Sequence, residues 1–221
     1  MLHDVYIPFT KARMGRFLFL LLSMLLMLIL RPFLEGYIRI TFLMSVFFSV
    51  ILFSGIYALS RSKGVFITAV ILAFPLFLSE WMPFLIDIRV FRHFKNIFGI
   101  LFYAYAAVII LAHVLKAKDI NLDIIVGAIC VYFLIGFVWA FAYAILENFQ
   151  PASFQISENL VPGISSFSYY SFVTLTTLGY GDITPLSSPA RSLSLLEAIT
   201  GQLYLAVLVA RLVGLHIARR A

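Results

Sequence analysis

The stretch Thr174-Leu175-Thr176-Thr177-Leu178-Gly179-Tyr180-Gly181-Asp182 carries residue types suited to holding a cation with the main chain. Two glycines flank one tyrosine, so the backbone can adopt conformations closed to residues with a Cβ and turn successive carbonyls to one side. Four such loops around an axis would stack rings of oxygens that replace the hydration shell of a small cation. Thr177 would add a ring of hydroxyls at the inner mouth. Other chemistry is thinly represented. The single cysteine, Cys130, lies in an apolar run and has no partner, which excludes intrachain disulfides and cysteine metal sites. His3 and His216 have no partner at metal-binding spacing. No nucleotide-binding motif or nucleophile–base pair occurs outside 174–182, so no enzyme activity and no cofactor are expected.

The elements that must position this stretch are membrane spans. Of 221 residues, 63% are hydrophobic and 12% charged, too apolar for an ordinary soluble domain. The net charge of +6 falls in short groups between apolar runs, a pattern of membrane topology and not of a nucleic-acid-binding face. A crossing helix needs ~20 mostly apolar residues, and six runs qualify: near 14–34, 37–60, 64–81, 97–115, 121–147 and 189–217. The third is short, and Pro75 is expected to kink it. Lys11, Arg13 and Arg16 precede the first run as in a signal peptide, but no small-residue cleavage site follows, so a retained anchor is expected.

Cations at the ends of the runs set the orientation. With the N-terminus inside, Lys11, Arg13, Arg16, Arg61, Lys63, Lys116, Lys118, Arg219 and Arg220 are cytoplasmic. Arg31, Arg39, Arg89, Arg92, Lys95 and Arg191 lie opposite, and Arg211 falls within a span. Both termini are therefore expected in the cytoplasm. Arg89, Arg92 and Lys95 recur at every third residue, the spacing of a voltage sensor. The following run, 97–115, holds no cation until Lys116, so an interfacial helix with snorkelling cations is expected over 80–95 instead. Asp119 or Asn121 can cap the fifth helix, and Gly127 and Gly136 offer close-approach points along it. Glu147, at its outer end, reads as solvated.

Residues 149–165 hold Pro151, Pro162 and Gly163 among Ser, Asn and Gln, an exposed turret. Glu158 and Asp182 would lend its mouth negative potential. Residues 166–176 are too short to span yet too apolar for an open loop. A half-crossing helix, buried by neighbouring copies and aiming its C-terminus inward, fits them. In the last run, Gly201 is either a hinge or a packing glycine. Glu197, one turn earlier, is expected behind the pore helix or near the filter base, and Arg211 in the inner vestibule or at the headgroups.

Thr-Leu-Gly-Tyr-Gly-Asp after Thr176, between two spans, resembles the selectivity filter of the potassium channel family, with Leu178 where Val or Ile is more usual. The resemblance covers about 122–214. It implies that Thr177, Leu178, Gly179, Tyr180 and Gly181 line a K+ filter, with K+ held at Thr177, Leu178, Gly179 and Tyr180, and with Tyr180 packed behind as a cuff. Asp182, Tyr170, Val173 and Thr176 are then filter supports. Tyr169-Tyr170 stands where paired tryptophans are frequent, so a phenol must tie the pore helix to Tyr180 or Asp182. Val173 occupies a position that is Glu in some members, removing a carboxyl partner for Asp182.

The expected architecture is an all-α membrane protein of six spans plus a re-entrant pore helix, assembling as a tetramer. Residues 1–118 form a four-helix domain resembling a voltage sensor without distributed arginines. Residues 119–221 form the pore domain: outer helix 121–147, turret 149–165, pore helix 166–176, filter 177–182 and inner helix 189–217. The expected function is passive K+ conduction, weakly or not voltage-gated. Its partners would be K+, membrane lipid and three further copies, and no nucleic acid. A voltage-gated channel using Arg89, Arg92 and Lys95 as gating charges, a secondary transporter, or a non-conducting sensory subunit are the alternatives. A transporter would show inverted repeats and interrupted spans in both halves, but the Gly-rich loop occurs once. The compact chain points to a bacterial inner membrane, without an attached cytoplasmic ligand-gating domain.

Overall fold

The computed structural model describes residues 15–34, 40–60, 62–81, 89–157 and 163–218. Backbone in lipid must satisfy its own polar groups, so long apolar runs become helices. The elements are α1 (Arg16–Leu34), α2 (Ile40–Leu59), α3 (Lys63–Trp81), α4 (Arg89–Lys116), α5 (Leu122–Phe149), β1 (Phe154–Ile156), α6 (Ile164–Leu175), β2 (Ile183–Pro185) and α7 (Ser188–Ala218). Among the described residues four helices are long and apolar enough to cross a membrane: α3, α4 over Phe94–Lys116, α5, and α7 over Ser188–Leu215. The described apolar stretches of α1 and α2, Arg16–Leu30 and Ser45–Leu59, are shorter.

Helices α1 to α4 pack in sequence, α1 on α2, α2 on α3 and α3 on α4, and α5 lies against both α1 and α4. Lipid tails are as apolar as leucine, so close packing and small residues drive this association more than water exclusion. Glycines mark the tightest crossings. A Cβ on Gly99 would stand 2.6 Å from the Phe141 ring, and one on Gly127 3.0 Å from Phe17. Beside the first crossing, Tyr103 stacks on Phe137 and Phe141 with centroids 5.3 and 5.6 Å apart. Three serines within the helices are satisfied locally: Ser23, Ser49 and Ser79 donate back to carbonyls three or four residues earlier. Asn121, and not Asp119, caps α5 by accepting the Ile124 N–H at 2.9 Å.

Three expectations require correction. Residues 89–95 do not form a separate interfacial helix; they are the first turns of the continuous helix α4. No proline interrupts the run, so the helix propagates through both polar and apolar parts. Lys95 does not snorkel either. It pairs with Glu80 on α3, which also accepts from Ser45 of α2, and its ammonium lies 5.6 Å from the Phe48 ring centroid. The side chains of Arg89 and Arg92 lie outside the described residues, as do Asp87 and Glu158.

The second correction concerns the turret, expected to be exposed: within the all-helical fold it contributes one strand of a short two-stranded sheet. β1 and β2 pair antiparallel, Phe154 with Pro185, Gln155 with Thr184 and Ile156 with Ile183. The sheet joins the turret to the segment leaving the 177–182 loop. A small aromatic core lies beneath, where Tyr143, Phe154, Phe167 and Tyr170 meet edge to face or tilted. The turret is therefore partly packed: Ser153 and Phe154 are buried. Third, Glu147 is not simply solvated. Its carboxylate accepts the Ala152 N–H at 2.9 Å and the Phe154 N–H at 3.2 Å, holding a turn in which Ala152 has φ +63°.

Candidate ion pathway

Helix α6 has 12 residues, about 18 Å at 1.5 Å per residue, a little over half of a ~30 Å hydrocarbon core. Thr176 closes it: its N–H reaches the Phe172 carbonyl at 3.1 Å and its hydroxyl the same oxygen at 2.7 Å. The partial negative charge at this end faces the loop that follows.

Beyond Thr176 the backbone alternates. Thr177 has φ +59°, Gly179 +59° and Gly181 +80°, while Leu178 and Tyr180 between them stay negative. Alternation of this kind turns N–H groups to one side and carbonyls to the other. The N–H side faces α6: Thr177 donates to Thr174 at 2.9 Å, and Leu178 and Gly179 donate to Val173 at 2.9 and 3.4 Å. Among the described residues no donor reaches the carbonyls of Thr177 to Gly181. Glycine meets the positive φ freely. Thr177 does not, and a β-branched residue there stores roughly 1–2 kcal/mol of strain. Unbonded carbonyls cannot face lipid, so this row must meet water, an ion or another polar surface.

The support around the loop differs in part from the sequence expectation. Asp182 is tied to α6 by Tyr169, whose hydroxyl donates to Oδ2 at 2.6 Å. Tyr170, expected in that supporting role, points the other way and shares a 2.7 Å hydrogen bond with Ser194 of α7. Neighbouring residues on a helix are ~100° apart, so one of the two tyrosines faces the returning loop and the other faces α7. Asp182 also accepts the Ile183 N–H on Oδ1 at 3.0 Å. Its carbonyl takes the Ser157 N–H at 3.1 Å and hydroxyl at 2.8 Å. Val173 contributes through its carbonyl, and its buried side chain gives Asp182 no partner. Tyr180 is not packed against its own chain: it is 67% exposed, and Leu178 55%.

Behind α6 the contacts come from α5 and α7. Tyr132 donates to the Leu175 carbonyl at 3.2 Å. A Cβ on Gly136 would stand 2.6 Å from the Phe172 ring, and one on Gly201 would collide with the Leu175 carbonyl. Gly201 is therefore a close-approach glycine in this chain. Glu197 is fully buried and accepts hydroxyls from Tyr143 of α5 and Ser171 of α6. Arg211 lies against the end of α4, where its guanidinium donates to the Leu115 and Ala117 carbonyls. Sequence reasoning missed Tyr143 and Ser171. The available sign was Glu197 itself, a carboxyl within a span that requires polar partners.

Among the described residues no cluster of three His, Cys, Asp or Glu side chains could hold a metal. The acceptors this site offers a cation are main-chain carbonyls. No curated protein matches the chain. A family model described as ion channel matches residues 124–216, from the first turn of α5 to nearly the end of α7. Across that segment, less than half of the 221-residue chain, the protein is similar to ion channel pore domains of the two-helix potassium-channel type.

Proposed function

We propose that this chain is one subunit of a tetrameric, potassium-selective channel that passes K+ passively across a membrane. The observation that carries the reading is the row of unbonded carbonyls at Thr177, Leu178, Gly179 and Tyr180, produced by φ values alternating in sign. Four copies around a cyclic axis turn that row into stacked rings of oxygens that replace water around K+. The rings lie at the C-terminus of α6, whose dipole favours a cation. Leu178 and Tyr180, open in the single chain, are then covered by the neighbouring copy.

In this reading all six long helices cross the membrane, both termini are cytoplasmic and α6 enters from outside. The pore unit runs from Asp119 onward. The four preceding helices form a peripheral bundle with little voltage response, because α4 carries no cation between Lys95 and Lys116 and Lys95 is held by Glu80. Purified protein reconstituted in planar bilayers under opposed KCl and NaCl gradients tests this. The expected current reverses near the K+ equilibrium potential and is blocked by barium. A current that reverses without regard to K+ would overturn the proposal.

A further inference from the structure

Glu197 is a carboxyl with no exposed surface in the middle of a membrane-crossing helix. Such a group is costly unless polar partners converge on it. Here they come from two different helices, one to each oxygen: Tyr143 of α5 to Oε2 and Ser171 of α6 to Oε1. The carboxyl thus joins three helices at one point. Ser171 has one hydroxyl proton and a second acceptor within reach, the Gly136 carbonyl of α5 at 2.7 Å. Without Glu197, Ser171 would still be bound to α5, but the hydrogen bond from α6 to α7 at this level would be lost.

The position along α6 gives the junction a consequence. Ser171 lies two residues before Val173, whose carbonyl accepts the N–H groups of Leu178 and Gly179 at 2.9 and 3.4 Å. A short rigid path therefore runs from Glu197 through Ser171 and the last turn of α6 to the amides that set the carbonyl row. One turn further along α7, Gly201 lets the helix close on the Leu175 carbonyl, so the same stretch of α7 braces the end of α6 twice. Resting on the channel reading above, we propose that Glu197 is a positioning residue for ion selectivity. Its carboxyl fixes the register of α6 against α7 and thereby the geometry of the carbonyls at Thr177 to Tyr180.

The test is the potassium-to-sodium permeability ratio, from bi-ionic reversal potentials, of the reconstituted full chain, four single variants and the double variant Glu197→Ala with Ser171→Ala. Glu197→Ala, Ser171→Ala and Tyr143→Phe each remove part of the junction. Glu197→Gln keeps an acceptor for Tyr143 and supplies an N–H to the Ser171 oxygen. Glu197→Ala is expected to lower the ratio about tenfold, within the range that coupling through a packed network supports. Ser171→Ala should do nearly as much, and the double variant no more than the larger single effect. Glu197→Gln should rescue selectivity. A purely structural brace would lower yield in all variants without moving the ratio. If Glu197→Ala does not assemble, Ser171→Ala and Tyr143→Phe, which each delete one oxygen, decide the matter. Wild-type selectivity in both would overturn the proposal while leaving the channel reading intact. A wild-type protein that does not discriminate K+ from Na+ would overturn both.

Discussion

Helices α3 and α7 present nearly the same outer surface. Ile71 and Phe74 on α3 are 62% and 60% exposed, and Leu195 and Leu203 on α7 are 62% and 59%. For a membrane helix such exposure is ordinary, because lipid covers leucine as well as protein does. What separates the two helices is the backbone beside them. The described elements packed on α3 are helices, whereas α7 packs on α6, the helix that leads directly into the unbonded carbonyls of Thr177 to Gly181. Lipid can offer those oxygens nothing. An open apolar face alone therefore marks a boundary with lipid, and in the proposed channel an open face near unpaired backbone is where further copies and water meet.

The sharpest way to break this comparison is at the backbone. Gly179 has open space where a Cβ would go but a φ of +59°, so Gly179→Ala acts through conformation and not through a clash. The permeability ratio is expected to fall toward one, as read by bi-ionic reversal potentials. Next in size is a tryptophan scan. Trp placed in turn at Leu195, Ile199 and Leu203 of α7 should disrupt assembly at one or more positions, by about 1–3 kcal/mol per copy. Trp at Ile67, Ile71 or Phe74 of α3 should leave assembly unchanged. Native mass spectrometry reads this as the presence or loss of the proposed tetramer of 25.0 kDa chains.

Smaller effects test the bracing. Gly201→Ala forces α7 away from the Leu175 carbonyl and should cost about 1–3 kcal/mol, seen as a lower dissociation temperature of the assembly in detergent. Tyr169→Phe removes one hydrogen bond to a carboxylate, about 1.5–3 kcal/mol, from the outer mouth. It should speed the decay of current at low external K+, and Tyr170→Phe should do so less. Arg211→Ala releases the end of α4, a cation-to-helix-terminus contact of about 0.3–1 kcal/mol. Single-channel records should show changed open probability with selectivity intact.

What the sequence disclosed and what it hid divide along physical lines. Gly179 and Gly181 were readable because only glycine meets a positive φ without cost, and the long helices because apolar runs in lipid have few alternatives. Asn121 was readable as one of two caps. Thr177 was not readable as left-handed, since its neighbours impose a conformation its type resists. The roles of Tyr169 and Tyr170 depend on ~100° of helix rotation that the residue types do not encode. Glu147 binds amides five and seven residues ahead, and Glu197 binds hydroxyls 54 and 26 residues behind. Such partners become visible only when the elements have been placed. The strands β1 and β2, three residues each, are too short for any alternation to register.

The central claim is that carbonyls of identical chains form rings along one axis and hold K+ there. Crystals of the assembled protein grown in rubidium test it most directly, through the anomalous scattering of the ion. The account predicts a column of peaks on the fourfold axis at the level of Thr177 to Tyr180, absent in Gly179→Ala. An assembly with no such axis, or with rubidium bound elsewhere, would contradict it.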